Sequence, residues 1–334
     1  MARPAPSATA TARSPGSAPT RKDPHVLITG ATGNVGGALV TQLHEQGHAV
    51  RALVRDASRA ERLPDGVDIA VGNLDDVETI TAAARGVAAV FFMQVNPGTA
   101  QTENMIAAAH AADVQRIVAL SSIGARLEPV DHPIGVDLAA REAVLRASGL
   151  DVTYLRPNAL MSNALWWLPM IREGRVVDAT EPGRVACVDP DDIARVAAAT
   201  LTQEGHAGHG YILNGPQALT AREQVEILAD VLERDIEFVA VAPEELASDS
   251  VEHGMPAERA ERSPSAQRAL SRGTSRSPQG RRRELHRHGT RHLPRLVRAQ
   301  RRRPSLGRRL RGSRTEHRSL RLPPRRRAAR WAPR

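Results

Sequence analysis

The sequence spacing that most clearly indicates chemistry is a glycine-rich heptapeptide, Gly30-Ala31-Thr32-Gly33-Asn34-Val35-Gly36. It follows an apolar run at 25–29 and begins a segment, 35–43, with helical periodicity. A strand, a tight turn and a helix in this order bring backbone N–H groups and a helix N-terminus against phosphate oxygens. We therefore predict that the turn binds the pyrophosphate of a dinucleotide. A plain glycine-rich turn between a strand and a helix is the alternative.

Arg55 lies about 20 residues beyond the glycine turn, where the second strand is predicted to end. An acidic side chain at this place binds the ribose 2′-hydroxyl of NAD, whereas an arginine suits the 2′-phosphate of NADP. The sequence thus favours NADP(H) over NAD(H). Two alternatives stay open, since Arg55 could be solvated while Asp56 takes the ribose or caps the next helix. Arg59 is either a second phosphate contact or a charge on an exposed helix face.

Alternating apolar strands and periodic helices must position these residues, and they predict an α/β fold with a doubly wound parallel sheet. The strands are rich in apolar residues throughout, as expected for a sheet covered on both faces. The predicted strands are 25–29, 48–54, 67–71, 88–94, 114–121 and 151–155, and the predicted helices are 34–46, 57–62, 75–85, 99–111 and 135–148.

The pattern becomes irregular after residue 157 and predicts a smaller, discontinuous C-terminal lobe. Its predicted helices are 158–172, one from Asp189 through Thr202 with proline and acids in the first turn, and one that begins at the capping box Thr220-Ala221-Arg222-Glu223 and reaches Arg234. Its predicted strands are 175–178, 184–188, 211–213 and 236–241.

The net charge of +9 is unevenly distributed. From Ala257 to Arg334 the sequence has 26 Arg and 4 Glu but no Lys, Ile, Met, Phe, Tyr, Asn, Asp or Cys, while the rest of the chain is acidic. Such a tail buries no apolar surface, which predicts disorder. A shifted reading frame in a GC-rich gene gives this composition, so we hypothesise a frameshift near residue 262. A genuine basic arm that binds nucleic acid is the alternative.

Cysteine usage and hydropathy bear on the compartment. Cys187 is the only cysteine, which rules out an intrachain disulfide and indicates a reducing, cytoplasmic compartment. No apolar run has transmembrane length, and the Ala/Pro/Ser/Thr-rich leader lacks the apolar region of a secretory signal. We therefore expect no membrane partner.

Several short motifs together resemble the NmrA-like branch of the atypical short-chain dehydrogenase/reductases. Besides the glycine turn they are Leu53-Val54-Arg55-Asp56, Ser121-Ser122, Leu155-Arg156-Pro157 and Val188-Asp189-Pro190-Asp191-Asp192-Ile193-Ala194. The resemblance covers roughly residues 24 to 260 and implies a Rossmann fold that binds a nicotinamide cofactor. Composition and resemblance together predict a disordered leader at 1–22, an NADP-binding Rossmann domain at 23–157, a substrate lobe with returning Rossmann elements at 158–262 and a disordered arginine-rich tail at 263–334.

The resemblance also implies roles for individual residues. In the glycine turn, pyrophosphate would be held by Gly30, Thr32, Gly33, Asn34, Val35 and Gly36. Arg55 would meet the 2′-phosphate, Asn73 would lie beside the adenine, and the segment Phe92-Met93-Gln94 would border the ribose. Ser121 and Ser122 would lie near the nicotinamide, or else only satisfy backbone groups at the strand end. Pro157 and Asn158 would contact the carboxamide side of the ring, with a helix N-cap as the alternative for Asn158.

The catalytic pair of the main branch, Tyr-x-x-x-Lys, is missing from this sequence. Lys22 is the only lysine, and neither Tyr154 nor Tyr211 has a lysine four positions later. Because a general acid contributes roughly 10²–10⁴ in rate, efficient ketone reduction by the usual route is not expected. His132 is a weak candidate for a proton donor, and a surface histidine is the alternative.

Two function classes remain besides that of a nucleic-acid-associated protein acting through the arginine-rich tail. The first is an NADP(H)-dependent oxidoreductase that transfers hydride to a small apolar acceptor such as a quinone or enone. The second is a non-enzymatic redox sensor that reports the cofactor state to a regulatory protein partner. A second copy of the chain in a homodimer is the alternative partner. Met161, Trp166 and Trp167 would form an apolar substrate wall or pack in the core of the lobe, and adjacent tryptophans on a helix cannot face the same way. No metal site is expected.

Overall fold

Strands and helices alternate along the part of the chain that the structure, a computed structural model, describes: residues 25–127, 133–242 and 245. The leader, His132 and the arginine-rich tail lie outside the described residues. Within the described part, no helix has the length and apolarity needed to cross a bilayer.

The strands are β1 (His25–Ile28), β2 (Val50–Val54), β3 (Asp68–Val71), β4 (Val87–Phe92), β5 (Arg116–Leu120), β6 (Asp151–Pro157), β7 (Arg175–Asp178), β8 (Gly210–Leu213) and β9 (Glu237–Ala240). The α-helices are α1 (Asn34–Glu45), α2 (Val77–Ala84), α3 (Ala100–Ala111), α4 (Pro133–Ala147), α5 (Leu168–Glu173), α6 (Pro190–Thr202) and α7 (Ala221–Leu232). Three 3₁₀ segments, Ala57–Arg62, Ile123–Arg126 and Met161–Trp167, complete the elements used below.

Seven parallel strands form the main sheet in the order β3-β2-β1-β4-β5-β6-β8. The chain winds outward from β1 toward β3, then crosses to β4 and winds the other way. This confirms the predicted doubly wound α/β fold. The point where the order reverses lies between β1 and β4, and ligands of such sheets bind at the carboxyl ends of the strands beside it.

Both faces of the sheet are covered. Alternate strand residues such as Val26 and Ile28 face α1 and α6, while Leu27 faces the opposite cluster of α2, α3 and α4. Because aromatic residues make up only 2% of the chain, both clusters consist mainly of Val, Leu, Ile and Ala. The dense packing of these small side chains fixes the strand ends that carry the site.

A small lobe lies beyond the carboxyl end of β6. It contains the 3₁₀ segment Met161–Trp167, α5, α7 and a second sheet in which β7 pairs in parallel with β9. The chain leaves the lobe after β7, packs α6 against α1, adds β8 to the main sheet, and then returns with α7 and β9. The lobe is therefore built from two separate stretches, as the irregular pattern indicates.

Two predicted elements of this lobe are wrong. The predicted helix 158–172 is an extended segment, a 3₁₀ segment and then α5, because Pro169 lacks the N–H that a continuous α-helix would need there. The predicted strand 184–188 forms only two isolated bridges, Val185 to Leu219 and Val188 to Leu160. The capping box of Thr220 and Glu223 is confirmed at the start of α7.

Candidate active site

The glycine turn closes tightly against the start of α1. Gly30 adopts a left-handed backbone with φ of +62°, and the N–H of Gly33 donates to the carbonyl of Gly30 at 2.9 Å. A Cβ on Gly36 would collide with the Gly30 carbonyl, so the helix can approach the turn only with glycine at this position. No side chain of the described residues caps α1 at Gly33, which leaves its first N–H groups directed toward the strand ends. These features fit a pyrophosphate cradle.

The side chains of the turn agree with that role. Val35 is buried in the core beneath the turn, and Thr32 is half-buried. Gly33 and Asn34 are exposed at the first turn of α1. Thr29 bridges the ends of β1 and β4, because its hydroxyl donates to the Met93 carbonyl at 3.1 Å and accepts from the Met93 N–H at 2.7 Å.

Arg55 directly follows β2 and is exposed. Its neighbour Asp56 caps the 3₁₀ segment Ala57–Arg62 and accepts from the Ser58 N–H at 2.9 Å. These bonds from Ser58, together with the charge of Arg59, hold the pKa of the Asp56 carboxyl below its ordinary value. The Asp56 carboxylate thus already accepts a hydrogen bond from its own segment, whereas Arg55 lies exposed at the end of β2. Arg59 is exposed on the 3₁₀ segment.

The loops after β3 and β4 are joined to each other. Asn73 is exposed, and its side-chain oxygen accepts from the Asp75 N–H at 3.2 Å. Asp75 in turn accepts from Gln101 at 2.8 Å. The Gln94 amide is turned into its own loop, where it donates to the carbonyls of Asn96 and Gly98 at 2.8 and 2.7 Å. Only the backbone of Gln94 is therefore left to border a ribose.

Arg141 of α4 clamps the same loop. Its guanidinium donates to the Asn96 carbonyl at 2.7 Å and to the Gly98 carbonyl at 3.0 Å. Each carbonyl thus receives two hydrogen bonds, one from Gln94 and one from Arg141. Burial lowers the pKa of Arg141 against the opposing charge of Asp137, yet the guanidinium stays protonated. The loop 94–99 is consequently held in one shape.

The two serines after β5 have distinct partners. Ser121 donates to the Glu142 carboxylate at 2.6 Å. Ser122 donates to the Pro157 carbonyl at 3.3 Å and accepts from the Gly124 N–H at 3.2 Å, where it caps the 3₁₀ segment Ile123–Arg126. Both hydroxyl protons are therefore committed to groups inside the protein.

Glu142 lies on α4, the helix that would carry Tyr-x-x-x-Lys, and its side chain is only 4% exposed. Arg156 of β6 holds it with two bonds, Nε to Oε1 at 2.8 Å and Nη2 to Oε2 at 2.6 Å. Burial by itself would raise the pKa of Glu142, but the bonds from Arg156 and Ser121 and the charges of Arg156 and Arg146 outweigh it, so the pKa lies below its ordinary value. Glu142 is ionised at neutral pH and can only accept.

Neither tyrosine of the chain replaces the missing acid. Tyr154 is buried, and its hydroxyl donates to the backbone carbonyl of Glu142 at 3.3 Å. Burial raises the pKa of Tyr154. The Tyr211 hydroxyl is 2.8 Å from Nδ1 of His206. His206 lies in the loop before β8, at the amino ends of the strands and hence opposite the candidate site.

The segment after β6 differs from the other strand ends. Pro157 and Asn158 are both buried, and the Asn158 amide donates to Asn214 at 3.3 Å. Within the described residues, the Asn158 side-chain oxygen and the Ser162 hydroxyl are buried without a hydrogen-bond partner. The proposed N-cap role of Asn158 is wrong, because Leu160 is the residue that precedes the 3₁₀ segment.

The three predicted wall residues point in different directions. Met161 is buried against Cys187 and Ile227, and burial raises the pKa of the Cys187 thiol to about 11. Trp167 packs into the core of the lobe beside α5 and α7. Trp166 is 65% exposed. The divergence of the two tryptophans agrees with their adjacent positions.

Sequence reasoning gave no role to Glu142 and Arg156. A signal was present, because Arg156 lies near the end of a mostly buried strand, where an arginine requires an acidic partner. The partner itself carries no local signal, since Glu142 is distant along the chain. Exposed apolar side chains at the same edge were also missed: Val95 after β4 is 79% exposed, and Ile134 and Val136 stand at the start of α4.

The parallel strand order, with a glycine turn at the switch point, defines a Rossmann-type dinucleotide-binding protein. The chain belongs to the NAD(P)H-binding family, whose family model matches residues 30–204. This confirms the resemblance and the nicotinamide cofactor.

Several of the named relatives are reductases or oxidoreductases. A (4-alkanoyl-5-oxo-2,5-dihydrofuran-3-yl)methyl phosphate reductase of Streptomyces griseus is 40% identical over 231 residues, covering 67% of this chain and 78% of the relative. An NAD(P)H azoreductase of Xenophilus azovorans is 35% identical over 236 residues, covering 69% of this chain and 82% of the relative. An NADPH-dependent quinone oxidoreductase of Escherichia coli, solved with NADPH, superposes with a TM-score of 0.71 at 25% identity, covering 82% of this chain and 99% of that one. The chain is accordingly an NAD(P)H-dependent oxidoreductase.

Proposed function

We propose that this protein uses NADPH to reduce a small apolar acceptor in which the reducible bond is conjugated, such as a quinone or an enone. The observation that carries the proposal is the commitment of the Ser121, Ser122 and Tyr154 protons to partners within the protein. None of these three hydroxyls is placed to protonate an alkoxide. An acceptor that spreads negative charge over a conjugated system needs no such donor, because it can take its proton from water.

Bound NADPH would supply the hydride. The glycine turn and the N-terminus of α1 would hold its pyrophosphate, and Arg55 would contact the 2′-phosphate. The preference for NADPH is supported by the exposed guanidinium of Arg55 and by the local use of the Asp56 carboxylate. The chain's own contribution is to orient the two reactants.

The chemistry of the relatives supports the same class of acceptor. The names of those described above refer to an unsaturated oxo-dihydrofuran, an azo group and a quinone, all of which are conjugated. The exposed apolar side chains of Val95, Ile134 and Trp166 follow β4, β5 and β6 at the edge where the acceptor would bind. They offer an apolar surface to a planar molecule.

Stopped-flow oxidation of NADPH by the purified protein tests the proposal. We expect turnover with 1,4-naphthoquinone and with a cyclic enone, and none with a saturated ketone such as cyclohexanone. Equal rates for the enone and the saturated ketone would overturn it, because a general acid would then be required. NADPH binding without turnover of any acceptor would favour a redox sensor instead.

A further inference from the structure

Ser121 lies near the middle of the carboxyl ends of the main-sheet strands, where the candidate site is. It follows β5, which lies between β4 on the cofactor side and β6, whose end leads into the lobe. The serine is half-buried, and its proton is directed at Glu142.

Glu142 determines the direction of the Ser121 hydrogen bond. An ionised carboxylate has no proton to give, so the single proton of Ser121 must be the one shared at 2.6 Å. Turning that proton toward the site would remove a bond to a charged acceptor. A bond of this kind makes the turned arrangement roughly 10- to 100-fold less populated.

The Glu142 carboxylate cannot rotate away from Ser121, because Arg156 donates a hydrogen bond to each of its two oxygens. The Arg156 side chain is itself only 12% exposed and lies against Gly210 of β8, where a Cβ would overlap it. The direction of the Ser121 hydrogen bond is thus fixed by two buried charges, those of Glu142 and Arg156. It does not depend on the rotameric freedom of an isolated serine.

We infer that Ser121 faces the acceptor solely as a hydrogen-bond acceptor and therefore selects molecules that carry an N–H or O–H donor beside the reducible bond. Glu142 is a positioning residue that acts through Ser121. This inference rests on the proposed reductase function and adds a specificity to it. Molecules with only carbonyl or alkyl groups at that place leave the serine lone pairs without a partner.

A matched pair of quinones tests the inference. We use 2-(methylamino)-1,4-naphthoquinone, which has one N–H, and 2-(dimethylamino)-1,4-naphthoquinone, which has none, and measure kcat/KM for each with NADPH. The wild type should prefer the first by about tenfold, the value of one good hydrogen bond. Ser121→Ala should reduce this ratio to about one. Ser121→Thr keeps a hydroxyl and should retain the preference.

The outcomes separate the two proposals. Equal kcat/KM for both quinones in the wild type overturns the inference and leaves the reductase function standing. A preference that persists in Ser121→Ala also overturns it, because the discrimination then belongs to the quinones. Failure to reduce either quinone, with NADPH bound, overturns the reductase function and the inference together. Glu142→Gln adds a second reading where it folds, since its amide can donate to Ser121 and should lower the ratio.

Discussion

Two parts of the candidate site, at the carboxyl ends of the main-sheet strands, are built differently. The braced edge comprises residues 29–36, 93–99 and 121 with Arg141 and Glu142, and its polar groups are tied to one another across strands and helices. The lobe segment, residues 158–167, has buried polar atoms at Asn158 and Ser162 that lack partners within the described residues, and it exposes Trp166. The braced edge is cross-linked through its side chains. The lobe segment is held by backbone bonds such as that from the Met161 N–H to the Val188 carbonyl at 2.9 Å, and two of its buried side-chain atoms have no partner within the described residues.

This difference indicates how proteins of one fold can reduce different acceptors. The turn that would hold the cofactor is shaped by backbone contacts, among them the bond from the Gly33 N–H to the Gly30 carbonyl at 2.9 Å. The acceptors named for the relatives differ, and the lobe segment exposes Trp166 outside the core. Function in such proteins is decided at the site more than by the fold.

Removing Glu142 should break the braced edge most severely. Glu142→Leu leaves Arg156 buried without its carboxylate, and we expect the free energy of unfolding to fall by about 3–5 kcal/mol in urea titrations. The double variant Glu142→Leu/Arg156→Leu should recover most of that loss, since two apolar side chains replace the pair. A single variant within about 1 kcal/mol of the wild type would show that the pair is not needed for stability.

Filling the glycine turn tests the braced edge at the cofactor. Gly36→Ala places a Cβ against the Gly30 carbonyl, and overpacking of this kind costs about 1–3 kcal/mol, so NADPH affinity should fall roughly 10- to 100-fold. Gly37→Ala is the matched control, because its Cβ would lie 3.4 Å from the Ala31 carbonyl, an ordinary contact. Fluorescence titration with NADPH measures both. Equal affinities for the two variants would contradict the steric account.

Arg55 tests which nicotinamide cofactor the braced edge favours. Arg55→Ala should weaken NADPH binding about tenfold or more and leave NADH binding nearly unchanged, because only the 2′-phosphate contact is lost. Arg59→Ala serves as the comparison on the neighbouring 3₁₀ segment and should change the NADPH to NADH ratio far less. A larger effect of Arg59 than of Arg55 would reverse the assignment.

The two tryptophans sharpen the contrast within the lobe segment, with the smallest expected effect on activity. Trp166→Ala should lower kcat/KM for a naphthoquinone a few-fold and leave Tm unchanged, because the exposed ring contributes no core packing. Trp167→Ala should lower the free energy of unfolding by about 2–3 kcal/mol, since its ring packs with α5 and α7. Scanning calorimetry and initial rates measured on both variants give the comparison. A Tm loss in Trp166→Ala would place that ring in the core.

The sequence predicts the braced edge better than the lobe. The order of strand, glycine turn and helix, and the start of α6 at Asp189 and Pro190, depend on local chemistry that is visible in a few adjacent residues. The doubly wound sheet follows from regular alternation over many residues. These parts were predicted to within a few residues at each boundary.

The rest depends on contacts between distant parts of the chain. Ser121, Glu142 and Arg156 come from β5, α4 and β6, and no spacing in the sequence reveals that they meet. In the lobe, residues 184–188 have the composition of a strand, but only single bridges hold them because no neighbouring strand runs alongside. Tertiary pairing, which propensity does not encode, decided both outcomes.

The interrupted path of the lobe has an evolutionary consequence. Its two coding stretches, before α6 and after β8, are separated by the helix that packs against α1 and by an edge strand of the main sheet. The crossings between them are joined by hydrogen bonds, among them Gly215 to Ala186 at 3.1 Å and Met161 to Val188 at 2.9 Å. A single recombination event therefore cannot exchange the lobe as one cassette without also replacing α6 beside the cofactor turn.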